Sequence, residues 1–183
     1  MFILRSFLVS LIYFFILTGV SWCDDFKTAK DAFNEGDFNT AFSLFKPIAE
    51  GGNAEAMTYL GKMYAGERNE KIAAVWFRQA AELGEREAQF KLCIYRLKGW
   101  GVEKDEKQAF QWCSKAASQG LAPAQFNLGY MYKNGIGVKK DGSLAVKWYM
   151  DAAMEGDTKA QYNIGLMYLE GADIKQSGDE AIF

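Results

Sequence analysis

Apolar residues along this chain recur at two periods. Over short stretches they return in steps of three and four, which places them on one stripe of an amphipathic helix. Over longer stretches the whole stripe returns. Ala124 to Tyr132 reads A-Q-F-N-L-G-Y-M-Y, and 36 residues later Ala160 to Tyr168 reads A-Q-Y-N-I-G-L-M-Y. Earlier copies are A-Q-F-K-L-C-I-Y from Ala88 and A-M-T-Y-L-G-K-M-Y from Ala56. Trp76, Trp112 and Trp148 keep the same period, as do Ala80-Ala81, Ala116-Ala117 and Ala152-Ala153. A unit this short cannot bury its own apolar face. The copies must stack, which predicts an all-α solenoid of antiparallel helix pairs.

Each unit divides into two helices. The first is expected from about Asn53, Glu85, Leu121 and Asp157, and the second from near Lys71, Glu106, Ser143 and Asp179. Gly99-Trp100-Gly101 and Gly135-Ile136-Gly137 fall between them and break the helix. Asp105 and Asp141 stand where an N-cap is needed, and Gln108, three residues after Asp105, suggests a reciprocal capping box. Gly84, Gly120 and Gly156 suit the left-handed end of the second helix. The first unit is four residues shorter, with the loss in its loop (Ala65 to Glu70), where length changes cost little. The resulting divisions are 24–52, a helix hairpin, then 53–84, 85–120, 121–156 and a shortened 157–183. Pro123 falls in a first helical turn, where proline is tolerated, whereas Pro47 lies late in its helix and is a candidate kink.

These residues resemble the Sel-1-like repeat, a relative of the tetratricopeptide repeat. Its pattern A-x-A-Q-Y-N-L-G-x-M-Y, then G-x-G-V-x-K-D, then A-x-x-W-Y-x-x-A-A-x-x-G is met nearly throughout from Leu121 to Gly156. The resemblance covers about 53–183, and Phe26 to Gly52 reads like a tetratricopeptide hairpin. Cys93 departs from the usual Gly and Arg96 from the usual Tyr. The resemblance implies a binding scaffold rather than a reaction centre, with first helices lining a concave face. Inward-looking positions there are Phe90, Phe126 and Tyr162, then Ile94, Tyr130 and Leu166, with Lys133 and Lys62 nearby. Such a face, rich in aromatic and aliphatic groups, suits an extended peptide or a partner helix. The bland alternative is that Phe90, Phe126 and Tyr162 pack between neighbouring units. The tryptophans read as core knobs.

Composition narrows the function further. The chain has 183 residues, half of them apolar, and a net charge of −2. Basic clusters are absent, so nucleic acid is not an expected partner. The chain has no histidine, which removes the commonest general base and metal ligand near neutral pH. No cofactor or metal site is expected. Ser43-Leu44-Phe45-Lys46 matches the S-x-x-K of serine β-lactamases, but no S-D-N or K-T-G accompanies it. The leading expectation is therefore an exported adaptor or regulator of the cell envelope that binds another protein. An exported hydrolase of β-lactamase type is the alternative.

The cysteines carry a second expectation. Cys93 takes the close-contact position that Gly61, Gly129 and Gly165 hold elsewhere, and Cys113 takes that of Phe77 and Tyr149. One helix gains volume where its partner loses it, as a pair of bonded sulfurs requires. Two buried free thiols acting as small hydrophobes are the alternative. At the other end, Ser177 and Glu180 begin a second helix that stops at Phe183. The apolar edge of Ile164, Met167 and Tyr168 would then be covered by a partner, by a second copy, or by Ile182 and Phe183 folding back.

Residues 1–23 read as a secretory signal: Arg5 supplies the positive end, Phe7 to Leu17 the apolar stretch, and small residues precede the break. A periplasmic or secreted protein follows, without stable membrane insertion after cleavage. An uncleaved anchor and lipidation at Cys23 are the other readings. Cleavage after Cys23 leaves a chain starting at Asp24, and cleavage after Ser21 is the runner-up. Intact-mass measurement on exported protein is expected to give the Asp24 species; a mass that retains Arg5 contradicts cleavage.

Overall fold

A computed structural model describes residues 24–169. The proposed signal segment and the residues of the expected last helix, Ser177, Glu180, Ile182 and Phe183, lie outside the described residues. Helix α1 covers residues 24–35. It is followed by α2 (Phe38–Glu50), α3 (Ala54–Gly66), α4 (Glu70–Glu82), α5 (Arg86–Lys98), α6 (Glu106–Ser118), α7 (Ala122–Asn134), α8 (Gly142–Met154) and α9 (Thr158–Leu169). The described residues contain no strand. From α2 onward, each helix makes its main contacts with the next one along the chain. The result is the solenoid that the periodicity predicts. Helix α2 continues through Pro47 to Glu50.

Caps set the ends of the helices. Asn53, Asn69, Asp105 and Asp141 each accept a backbone N–H three residues ahead of them. Glu85 caps α5 with both carboxylate oxygens, accepting from the N–H groups of Glu87 and Ala88. The expected reciprocal box at Asp105 takes a different form. The Asp105 N–H is already given to the Arg96 carbonyl at 2.9 Å. The Gln108 amide therefore donates to Asp105 Oδ2, also at 2.9 Å, alongside the Gln108 N–H on Oδ1. These donors hold the Asp105 carboxyl below its usual range, the Gln108 backbone bond first.

Small residues let the helices approach. The alanine pairs Ala80-Ala81 and Ala116-Ala117 are buried, as are Ala56, Ala88, Ala124 and Ala160 at the same place in each first helix. One such approach lies between the two helices of a pair. A methyl group added to Gly61 would sit 2.6 Å from the Phe77 ring, and one added to Gly129 would sit 2.8 Å from the Tyr149 ring. Neighbouring pairs are locked by the loops. Gly101 presses on the backbone of Glu70 and Gly137 on that of Glu106, each at positive φ and with no room for a side chain. The loop of one pair thus clasps the start of the second helix in the pair before it.

The N-terminal hairpin closes one end of the stack with aromatic rings. Tyr59 stacks on Phe45 at 4.6 Å, and Phe26 and Phe33 meet Tyr59 edge-on at 6.5 and 5.0 Å. At the other end, Tyr162, Tyr168 and Leu169 on α9 stay exposed among the described residues.

The close-approach position yields a contrast that can be measured. Gly129→Ala is expected to destabilise the fold by roughly 1–3 kcal/mol, because the Tyr149 ring and the Ala145 carbonyl both stand in the way. Gly165, the same position in α9, has nothing among the described residues within 4 Å of an added methyl. Gly165→Ala is expected to be neutral or to stabilise by up to about 1 kcal/mol through helix propensity. Urea denaturation of both variants checks this; equal effects at the two positions would contradict the packing argument.

Candidate partner-binding face

The sequence singles out seven positions on three successive first helices. Phe90 and Ile94 are one turn apart on α5; Phe126, Tyr130 and Lys133 share a face of α7; Tyr162 and Leu166 share a face of α9. The structure gives them unequal exposure. Tyr130 is 47% and Tyr162 68% exposed, while Phe90, Ile94, Phe126, Lys133 and Leu166 are half-buried. Phe90 packs against two buried clusters, one of Cys93, Ala109, Cys113 and Met131 and the other of Ala116, Ala117, Ala124 and Leu128. Phe126 lies 5.5 Å from the Tyr149 ring. These two phenylalanines are therefore partly junction packing, and Tyr130 and Tyr162 are the exposed members.

The N-terminal part of the same face is charged and internally paired. Lys30 bonds Glu55 at 2.9 Å and Lys62 bonds Glu87 at 2.8 Å, each pair joining successive first helices. Lys62 also sits 4.6 Å over the Tyr59 ring. Below this surface, the Thr58 hydroxyl donates to Glu85 at 2.8 Å, tying α3 to the cap of α5. These partners follow from stacking geometry and could not be read from any one repeat.

Between the α3–α4 pair and the α5–α6 pair the surface opens into a cleft of about 340 Å³. Lys62, Ala65, Glu70 and Phe77 line one side, and Phe90, Lys91, Ile94, Tyr95 and Trp100 the other. Two of the predicted residues, Phe90 and Ile94, thus meet Lys62 here, while Tyr130, Tyr162 and Leu166 lie outside it. Glu70, Tyr95 and Trp100 were not picked out from the sequence. The available signal was departure from the repeat: Tyr95 stands where Met63, Met131 and Met167 stand elsewhere, and Trp100 where Ile136 stands.

Among the described residues, no group of three or more histidine, cysteine, aspartate or glutamate side chains could hold a metal ion. Nor is any described helix long and apolar enough to cross a membrane. Ser43 and Lys46 are exposed on α2, and the Ser43 hydroxyl donates to the Thr40 carbonyl at 2.8 Å.

The repeats agree with those of known proteins. The profile of the Sel1 repeat matches residues 54–85, 86–121, 122–157 and 158–183. The chain belongs to the Sel1 repeat family. It is similar to a Sel1 repeat protein from Oxalobacter formigenes, with 32% identity and a TM-score of 0.77 over 82% of this chain and 64% of that one. It is also similar to c5321, a protective antigen present in uropathogenic Escherichia coli strains displaying an SLR fold. That match has 34% identity and a TM-score of 0.74 over 81% of this chain and 34% of that one. This chain therefore spans less than two thirds of either protein. Helicobacter pylori cysteine-rich protein B shares the fold at 24% identity and a TM-score of 0.56, over 69% of this chain and 94% of that one. No curated protein sequence matches this chain.

Within the second Sel1 repeat, Cys93 and Cys113 take the places of the glycine and the aromatic ring, and the structure bonds their sulfurs. Their Cα atoms are 5.3 Å apart, and both residues are fully buried. The bridge closes a loop of 20 residues between α5 and α6. Chain-entropy arguments give a loop of that size about 3 kcal/mol of stability over the reduced chain. Thiol titration in denaturant without reductant is expected to find neither cysteine reactive. Two reactive thiols per chain would mean that the pair is not bonded in the isolated protein.

Proposed function

We propose that this Sel1 repeat protein is an exported adaptor or regulator of the cell envelope, binding another protein through the concave face lined by α5, α7 and α9. Membership of the family supports protein binding, because Sel1 solenoids usually serve as interaction scaffolds. The observation that carries the choice of face is the exposure of Tyr130 on α7, with Tyr162 on the next first helix also exposed among the described residues. An aromatic side chain that the stack does not bury is the type that anchors a protein interface. Residues buried to build the solenoid recur from repeat to repeat, whereas the exposed positions of this face change. Phe90, Ile94, Phe126, Lys133 and Leu166 complete the surface around the two tyrosines. The reading as an exported protein rests on residues 1–23, and the bonded cysteines fit an oxidising compartment. Self-association through the edge of α9 is a subsidiary proposal: of Ile164, Met167 and Tyr168, the structure buries Met167 and packs Ile164 against the core, so the proposal rests on Tyr168, with Tyr162 and Leu169 exposed beside it among the described residues. Hydrolysis by Ser43 has less support, because its hydroxyl donates to the Thr40 carbonyl of its own helix and neither S-D-N nor K-T-G accompanies the S-x-x-K match.

A photoreactive amino acid placed at Tyr130 tests the proposal in living cells. It is expected to capture one specific protein, and Tyr162→Asp is expected to abolish that adduct without lowering the melting temperature. Gln111, exposed on the second helix α6, serves as the control position. No adduct at Tyr130, or the same adduct from Gln111, would overturn the choice of face.

A further inference from the structure

The cleft between the first two Sel1 repeats has a chemistry that the repeat itself does not require. Its walls are apolar, formed by Ala65, Phe77, Ile94 and the Trp100 ring. A carboxylate also lines it. Glu70 Oε2 is closed off from solvent and has no hydrogen-bond partner. The Tyr95 hydroxyl lies against this carboxylate; burial first, and that contact second, hold the Tyr95 phenol above its ordinary range. The salt bridges of this face are Lys30–Glu55 and Lys62–Glu87, and Glu70 belongs to neither. The carboxylate thus has the Tyr95 hydroxyl as a partner, while its Oε2 has none and no salt bridge engages it. Its terminal torsion is soft, so its inner oxygen can turn toward a donor that enters the cleft. Trp100 stands at the rim, 46% exposed, with its ring held at 90° to Tyr95 at 5.7 Å. In the next repeat its counterpart, Ile136, instead packs against buried residues.

Building on the reading of this face as the binding surface, we propose that the cleft seats one arginine side chain of the partner, its guanidinium hydrogen-bonded to Glu70 and lying along the Trp100 ring. The aliphatic stem of arginine fits the apolar walls, and its planar head both pairs with a carboxylate and stacks on an aromatic ring. A lysine offers a more strongly hydrated point charge that does this less well. Lys62 and Lys91 also line the cleft. Glu87 takes the Lys62 charge. Lys91 remains to repel a second cation, so the preferred segment presents a single arginine with neutral or acidic neighbours rather than a basic run.

The test is an NMR titration of the purified chain, disulfide intact, with N-acetyl-arginine methylamide and with the corresponding citrulline derivative, which keeps the shape and loses the charge. The arginine probe is expected to shift the Trp100 indole N–H and the Ile94 methyl groups. Citrulline is expected to bind about tenfold more weakly, the loss of roughly one charge-assisted contact. Glu70→Gln, whose fold is checked by its melting temperature, should erase the difference between the probes. Trp100→Ala, which removes the rim ring and its edge contact with Tyr95, should weaken arginine more than citrulline. Equal binding of the two probes, shifts confined to other sites, no response to arginine at all, or an undiminished preference in Glu70→Gln would each overturn the assignment. If Tyr130 captures a partner in cells while the cleft ignores arginine, only the cleft assignment falls. If arginine binds as described but Tyr130 captures nothing, the choice of face fails separately.

Discussion

Where the two helices of a repeat come closest, one of them can carry almost no side chain. Gly61 and Gly129 meet that requirement, and the rings of Phe77 and Tyr149 fill the space opposite them. The middle repeat meets the same requirement by replacing a non-bonded contact with a bond, Cys93 to Cys113. Both solutions fix the distance between the helices of a pair, and that distance sets where the next pair can dock. A change at this position is transmitted along the stack, because each repeat is stable only against its neighbours. Tyr149 shows the cost of filling the gap with a polar ring. Its hydroxyl is buried without a hydrogen-bond partner, and burial pushes its pKa up to about 12.

A second set of contacts sets the register between pairs. Gly101 and Gly137 let each loop lie directly on the backbone that begins an earlier second helix. The side-chain links are less regular. Gln119 donates to Gln89 Oε1 at 2.9 Å and to the Gly84 carbonyl at 3.1 Å, joining two turns of the stack. One repeat later the corresponding residues are Gln125 and Glu155. A glutamate in that position cannot donate when ionised, and Gln125 Oε1 is left buried without a partner. The backbone contact repeats faithfully while the polar decoration does not, which suits a fold whose stability comes mostly from burying small apolar residues.

Most of this architecture is legible in the chain itself. The second helices were expected near Lys71, Glu106 and Ser143 and begin at Glu70, Glu106 and Gly142. Such agreement is possible because the signals are local: a cap, a period of three and four, a glycine. The bond made by Gln108 was not legible, because it depends on whether Arg96 has already taken the Asp105 N–H. That outcome is set by the path of a six-residue loop, 99–104. The face residues were legible only as a set. Spacing shows that Phe90, Phe126 and Tyr162 share a side, but not how far the next repeat covers each one. Phe126 has α8 against it and is half-buried, whereas Tyr162 has no such cover among the described residues.

The same reasoning explains why the useful information about binding lies in irregularity. A position needed for stacking must be filled in nearly the same way in every repeat, as the buried alanines and the leucines Leu60, Leu92 and Leu128 are. Where the residue changes with no compensating change opposite it, unlike Cys93 and Cys113, the solenoid tolerates different side chains. Lys62, Ile94, Tyr130 and Leu166 occupy one such position in four successive first helices. Their order runs from a paired charge, through an aliphatic group lining a cleft with a carboxylate, to an exposed aromatic ring and an aliphatic edge. A partner lying along this face would meet different chemistry at each repeat. Direction and register could then be specified by a surface whose backbone is nearly periodic, because a shift by one repeat would place every anchor against the wrong neighbour.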